Sequence, residues 1–155
     1  ASFFAMYPPI FRERRKLIMN GASVEEIIWL MKRGGMFLGF HPEGTRNRDD
    51  DPYTLLPAHR GVGRIIRETG ASALPVFVNG LTDDLAREIA GSFNGRGRPI
   101  LIVFGEPIDF GDLLDQPDSK VNHQLIADRC LEVVSALGQE EKRLRASGGS
   151  ARSRG

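Results

Sequence analysis

The sequence predicts an α/β fold in which helices flank a sheet, because three short apolar runs alternate with segments of helical periodicity. The runs cover residues 36–40, 73–78 and 99–104. Uninterrupted apolar runs of this length are typical of strands that are buried on both faces. Pro75 lies near the start of the second run and indicates the entrance of a strand. The length of 155 residues suits one domain with a substantial core.

Four segments have the spacing expected of helices. The first is capped by Ser23, carries its apolar residues at helical intervals and ends before Gly34. The second covers residues 59–68 and is followed by a glycine. A short helix is predicted over residues 83–90, and a longer one over residues 120–137.

Charge and cysteine content exclude several classes of protein. There are 16 basic and 18 acidic residues before Gly138, against five basic and two acidic residues from there onward. The predicted domain, residues 1–137, therefore offers no basic surface for nucleic acid, and residues 138–155 form a basic tail that we expect to be flexible, above all from Ser147 onward. A single cysteine, Cys130, leaves no intrachain disulfide and no zinc site built on several thiolates. No uncharged stretch approaches the about 20 residues of a membrane-spanning helix.

The densest group of functional side chains follows the first apolar run, at residues 41–48. Ligand sites in open α/β sheets gather beyond the carboxyl ends of strands. Arg46 and Arg48 offer forked donors, Thr45 adds a hydroxyl, and Gly44 lets backbone N–H groups approach a ligand closely. The segment therefore has the chemistry of a phosphate site, although a solvated polar turn explains the same composition.

The order of these residues, with that of three other segments, points to a family. Residues 42–46 read Pro-Glu-Gly-Thr-Arg, residues 73–78 contain Leu-Pro-Val, and residues 105–108 read Gly-Glu-Pro-Ile. Upstream, residues 10–14 read Ile-Phe-Arg-Glu-Arg. Over about residues 10–137 the chain thus resembles the glycerolipid acyltransferases, the 1-acylglycerol-3-phosphate acyltransferase family, whose sheet is flanked by helices.

The resemblance implies a glycerol-phosphate site made of Arg14, Glu43, Gly44, Thr45 and Arg46, with Arg12 as an alternative to Arg14. In such a site the Arg46 guanidinium binds the phosphate through two parallel hydrogen bonds. A carboxylate is repelled by phosphate, so Glu43 is expected to orient an arginine or to accept a hydrogen bond from a glycerol hydroxyl. The resemblance implies neither a metal ion nor a resident cofactor.

The reaction implied is a step of phospholipid biosynthesis. A fatty acyl group moves from a thioester, on coenzyme A or on acyl-carrier protein, to an acylglycerol phosphate such as lysophosphatidate. The expected partners are these two substrates and a membrane surface, with the protein cytoplasmic and peripheral to the membrane. Apolar residues within 3–7, followed by the basic residues of 12–16, are the candidate membrane contacts.

The family's general base is a histidine in an upstream His-x4-Asp block, whose aspartate orients the imidazole. The 40 residues before His41 contain no histidine, and His41 itself stands where the family usually has Phe. We therefore expect an N-terminally incomplete domain with little transferase activity of its own. Two alternatives stay open: a catalytically inactive fragment that binds glycerol phosphate or lipid, and a soluble phosphate-binding module unrelated to lipids.

His123 and Asp128 repeat the His-x4-Asp spacing near the other end of the chain. On a regular helix, however, two residues five positions apart lie about 140° apart around the axis. The pair is therefore not expected to share a face, and His123 is expected to point to solvent.

Overall fold

The fold combines helices with a small antiparallel sheet, which confirms the mixed α/β class. A computed structural model describes residues 17–44, 49, 51–80 and 99–152. Its elements are, in chain order, helix α1 (Leu17–Lys32), helix α2 (Arg60–Thr69), strand β1 (Val76–Asn79), strand β2 (Leu101–Phe104), a short 3₁₀ helix (Gly111–Leu114) and helix α3 (Lys120–Arg152). None of the described helices is both long enough and apolar enough to cross a bilayer. The predicted helix over residues 83–90 lies outside the described residues.

The chain divides into two compact units, each built from three stretches. The first comprises Ala1–Arg46, Pro57–Ser72 and Phe110–Arg129. The second comprises Asn47–Leu56, Ala73–Asp109 and Cys130–Gly155. The division between them falls within α3, after Arg129, so this helix contributes residues to both.

In the first unit, α1 packs against α2 through an apolar cluster of Ile27, Ile28 and Ile65. Helix α1 begins at Leu17, so the predicted start at Ser23 is wrong, and Ser23 is buried inside the helix. The Ser-x-x-Glu pattern resembles a capping box, but the preceding Leu-Ile-Met residues propagate the helix upstream of it.

Helix α2 has nearly the predicted bounds. It ends at Gly70, whose φ of +61° is left-handed and whose N–H donates to the Ile66 carbonyl oxygen at 2.9 Å. Gly63 faces α3, because a Cβ at this position would overlap the backbone carbonyl oxygen of His123. Gly61, on the other hand, faces open space. Gly63 therefore permits close approach of the two helices.

The sheet of the second unit contains two of the three predicted strands. β1 and β2 pair antiparallel, with Phe77 opposite Val103, and β1 begins directly after Pro75. Phe77 is buried against Gly138 of α3, whereas side chains of the opposite face, such as Phe104 at 65% exposure, are open to solvent. The expectation of strands buried on both faces is therefore wrong: an antiparallel pair needs a cover on one face only.

The predicted strand over residues 36–40 is wrong. These residues belong to no strand and their side chains are exposed. A strand requires a neighbour that pairs with its backbone, and the described residues supply none for this run. The described sheet is accordingly a two-stranded antiparallel pair rather than the larger sheet expected from the resemblance.

Helix α3 continues to Arg152, well past the predicted end at residue 137. Side-chain packing explains the extension: Gly138 lies against the Phe77 ring, and Glu141 is fully buried. Residues at the start of the predicted tail therefore contribute to the interior of the second unit.

Candidate functional site

The first part of the Pro-Glu-Gly-Thr-Arg motif forms a tight turn. The Gly44 N–H donates to the His41 carbonyl oxygen at 2.9 Å, which closes a four-residue turn with Pro42 in its second position. Proline is favoured there because its fixed φ suits the turn. Gly44 has a φ of +63°, a left-handed conformation that glycine adopts without steric cost.

The turn packs on His59, the residue that precedes helix α2. The His59 N–H donates to the Pro42 carbonyl oxygen at 2.8 Å. A Cβ at Gly44 would lie 2.6 Å from Cδ2 of the His59 ring, which is closer than carbon atoms can approach. Glycine is therefore required here twice, by its backbone conformation and by the neighbouring imidazole.

This contact brings the turn to the N-terminal end of α2. His59 is extended (φ −91°, ψ 128°) and its side chain makes no capping hydrogen bond to the helix. The first N–H groups of a helix have no partner within it, and they carry the positive end of the helix dipole. Such a terminus is a favourable place for an anion.

Of the five residues expected to bind phosphate, two lie in the described turn: Glu43 is half-buried and Gly44 is exposed. The other three, Arg14, Thr45 and Arg46, lie outside the described residues. The structure thus brings Glu43 and Gly44 together with His59, a neighbour that the sequence did not suggest, because 15 positions separate the glycine from the histidine.

His123 and Asp128 are not partners. Asp128 is exposed and accepts a hydrogen bond from Gln124 Nε2 at 2.8 Å. His123 is buried, so the expectation that it points to solvent is wrong, and its Nε2 lies 2.6 Å from Asp118 Oδ1. That separation is within ion-pair range, but the Nε2 atom lacks the geometry of a hydrogen bond.

His123 lies next to Asp118 because both residues are at the start of α3. Ser119 Oγ accepts the Asn122 N–H at 3.1 Å, so Ser119 is the N-cap residue. Asp118 then precedes the cap and His123 lies in the first full turn, the two positions that a pair of hydrophobic residues occupies at many helix starts; here the pair is a carboxylate and an imidazole. This pair is explained as a helix-start contact.

In the second unit, sequence reasoning missed a buried polar group that we call the Glu141 cluster: Tyr53, Asn79, Glu141 and Arg145. The fully buried Glu141 carboxylate accepts hydrogen bonds from the Tyr53 hydroxyl at 2.8 Å, Asn79 Nδ2 at 3.1 Å and Arg145 Nε at 2.8 Å. Arg145 also donates to the Pro99 carbonyl oxygen at 3.1 Å. The only local signal was the Glu-x3-Arg spacing, which is common on exposed helices.

Burial alone raises the pKa of Glu141, but the hydrogen bonds from Tyr53, Asn79 and Arg145 outweigh it and hold the pKa below its ordinary value of 4.5. Burial and the hydrogen bond to Glu141 raise the pKa of Tyr53. Glu141 is thus an ionised carboxylate beside a neutral phenol. Since its oxygens are occupied by protein donors, the cluster stabilises the second unit and leaves no position for a substrate.

Of the comparisons with known proteins, one finds a family. The family model described as Acyltransferase matches residues 2–79, which is half of the chain and includes the turn with Glu43 and Gly44. No curated protein and no solved structure gives a match. Acyl transfer is the class of reaction that the match supports, and the chain belongs to the acyltransferase family.

Proposed function

We propose that this chain acts in the transfer of a fatty acyl group from a coenzyme A or acyl-carrier thioester to a hydroxyl of an acylglycerol phosphate, a reaction of phospholipid biosynthesis. Membership of the acyltransferase family supports the reaction class. The acceptor is inferred from the Pro-Glu-Gly-Thr-Arg segment and from its similarity to the glycerol-phosphate block of the glycerolipid enzymes. We infer that the protein works as a peripheral protein at the cytoplasmic surface of a membrane, where such acceptors reside.

The observation that carries the proposal is the position of the Glu43–Gly44 turn at the N-terminal end of α2. The turn, which ends at Gly44, is held by the hydrogen bond from the His59 N–H to the Pro42 carbonyl oxygen. The helix terminus attracts a phosphate, and the left-handed Gly44 keeps side-chain bulk away from it. A guanidinium two residues further on supplies the full positive charge that phosphate requires.

The residue roles follow from charge. Arg46 binds the phosphate, with Arg14 as a second cation and the Thr45 hydroxyl as a donor. Glu43 carries the same sign of charge as the phosphate, so it serves the site by orienting an arginine or by accepting a hydrogen bond from the glycerol.

In the reaction, the hydroxyl oxygen of the acceptor attacks the thioester carbonyl carbon. The carbon–sulfur bond then breaks, the thiol departs, and the hydroxyl proton passes to a general base. We assign that base to none of the described histidines. His123 is engaged at the start of α3, the His59 ring packs on Gly44, and His41 stands where the resemblance expects Phe.

The test is a titration of the Arg46→Ala variant with a soluble short-chain acylglycerol phosphate. Loss of a charged, two-pronged hydrogen bond is expected to weaken binding by about 1.5–3 kcal/mol, which is tenfold or more. Arg143→Ala removes an exposed arginine far along α3 and serves as the matched control. An acylglycerol without phosphate should bind both variants equally.

Equal affinity of wild type and Arg46→Ala for the phosphate ligand, with unchanged circular dichroism, would contradict the proposed site. Loss of affinity for the ligand that lacks phosphate would also contradict it, because the arginine would then act on the acyl chain or on the fold.

A further inference from the structure

The segment from Trp29 to Phe40 exposes an unusual number of large apolar side chains. Trp29 is 57% exposed, Phe37 is fully exposed, and Met36 and Phe40 each expose more than two fifths of their surface. Apolar patches of this kind on a soluble protein mark a surface that contacts something else. The segment is distinct from the N-terminal residues that the sequence suggested as membrane contacts.

The charges of this segment are all of one sign. No acidic residue occurs between Glu26 and Glu43, whereas Lys32 and Arg33 lie in the middle of the apolar residues. The Arg33 guanidinium carbon is 4.6 Å from the centre of the Trp29 ring, so a cation and the indole occupy the same place on the surface. Aromatic, aliphatic and basic side chains in combination are typical of protein segments at a bilayer interface.

The backbone of the segment limits how deep it can enter a bilayer. Gly34 and Gly35 both have left-handed φ values, +74° and +70°, and residues 36–40 have no regular secondary structure. Unpaired backbone groups are too costly in the hydrocarbon interior, but they remain hydrated among the lipid headgroups. The geometry therefore favours shallow contact over insertion across the membrane.

A second copy of the chain is a poorer occupant of this surface. Two copies that meet through the segment bring Lys32 and Arg33 of one next to those of the other, and the segment has no carboxylate to offset the repulsion. An anionic bilayer supplies both the negative charge for the two cations and an apolar layer for Trp29 and Phe37.

We propose that residues 29–40 form a contact surface for an anionic lipid bilayer. Trp29 and Phe37 enter the boundary between headgroups and acyl chains, while Lys32 and Arg33 pair with lipid phosphates. The proposal rests on the peripheral membrane association inferred above and adds the surface that makes the contact; it needs no particular acyl acceptor.

The chain has a built-in probe for this contact, because Trp29 is its single tryptophan. We expect its fluorescence emission to shift to shorter wavelength when vesicles of phosphatidylcholine and phosphatidylglycerol are added, and to shift less with phosphatidylcholine alone. The shift should diminish as salt is added. Arg33→Gln should weaken partitioning about fivefold, since one basic residue near an anionic surface is worth that factor. Phe37→Ser should weaken it about tenfold.

The matched control is Phe104→Ser, which removes another exposed phenylalanine, 65% exposed, from the second unit. It should leave vesicle binding unchanged, and because Phe37 and Phe104 are both exposed, circular dichroism should be unchanged in both variants. An unshifted emission with anionic vesicles overturns the proposal, as does equal loss of binding in the two variants.

A shift that grows with protein concentration in the absence of lipid also overturns the proposal, because it identifies a second copy as the occupant. None of these outcomes involves the acylglycerol phosphate titration, so failure here leaves the proposed phosphate site standing, and the converse also holds.

Discussion

Replacing Tyr53 by phenylalanine removes a single hydroxyl from the Glu141 cluster. The variant keeps the aromatic ring, which stacks on Phe77 with ring centres 6.0 Å apart and lies under Lys142, and it removes only the hydroxyl that donates to Glu141 at 2.8 Å. The hydroxyl also accepts a longer hydrogen bond from Asn79 Nδ2 at 3.2 Å, which the variant loses, but Asn79 Nδ2 keeps its bond to the carboxylate at 3.1 Å. The change therefore measures what this hydroxyl contributes, which is chiefly its short hydrogen bond to the buried Glu141 carboxylate.

A hydrogen bond to a charged group contributes about 1.5–3 kcal/mol, and the lower end applies because Tyr53 is only partly buried. A loss of about 1.5 kcal/mol lowers the Tm of a chain this long by roughly 3–6 °C. Glu141→Gln should cost more, about 3 kcal/mol, because Arg145 then loses its carboxylate. Urea unfolding followed by circular dichroism measures both changes.

The double variant, Tyr53→Phe with Glu141→Gln, tests whether the two residues act on each other. If they do, its loss of stability is smaller than the sum of the single losses by about 1 kcal/mol. Additive losses, or a Tyr53→Phe midpoint equal to that of wild type, would refute the interpretation of the cluster as one interacting unit.

Acid should abolish the contribution of the Glu141 carboxylate to the free energy of unfolding. The folded protein holds the pKa of this carboxyl below 4.5, so the unfolded chain binds its proton first as the pH falls. The stabilisation by the carboxylate is therefore complete above 4.5 and is lost as the pH falls below it. The difference in unfolding free energy between wild type and Glu141→Gln should therefore narrow at pH values below about 4.5. A difference that stays constant down to the acid transition would show that the carboxylate charge is not the cause.

Three further outcomes follow from close contacts and burial. Gly44→Ala should lower stability by about 1–3 kcal/mol in thermal unfolding, because the residue is left-handed and its Cβ would meet the His59 ring; an unchanged Tm would contradict this geometry. Gly63→Ala should destabilise strongly through overlap with the α3 backbone, whereas Gly61→Ala, with open space around it, should stabilise by up to about 1 kcal/mol; equal effects would exclude the helix contact. Burial raises the pKa of the Cys130 thiol to about 11, so a thiol reagent at neutral pH should label the unfolded chain and spare the native one.

The sequence predicted those helices and strands whose signals lie within the segment itself. Helix α2 could be predicted because its apolar spacing and the glycine that ends it are both local features. The β1 and β2 runs were predicted correctly for the same reason. Residues 36–40 have an equally apolar composition but no pairing strand in the described structure, and composition does not reveal whether a pairing strand exists.

For α3 the error was to predict an end, at residue 137, that the structure does not have. Glycine at position 138 and the basic composition beyond it are typical of a helix that ends in a solvated tail. In the structure that glycine is the contact point for the Phe77 ring, and Glu141 one turn later is the centre of the Glu141 cluster. Tyr53 and Asn79 come from distant segments of the chain, so only Arg145, one turn further along α3, had a signal in the sequence around Glu141.

For the candidate site, the Pro-Glu-Gly-Thr-Arg motif indicated phosphate binding. The structure adds the contacts that hold the first residues of the motif in place. A Pro-Glu-Gly turn by itself is short and would exchange among conformations. Here His59 contacts the turn in two ways. Its N–H donates to the Pro42 carbonyl oxygen, and its ring packs on Gly44. Because His59 also precedes the first residue of α2, the contact that fixes the turn aligns it with the helix dipole. Removing the His59 ring should therefore weaken phosphate binding through the turn even though His59 carries no assigned role in the chemistry.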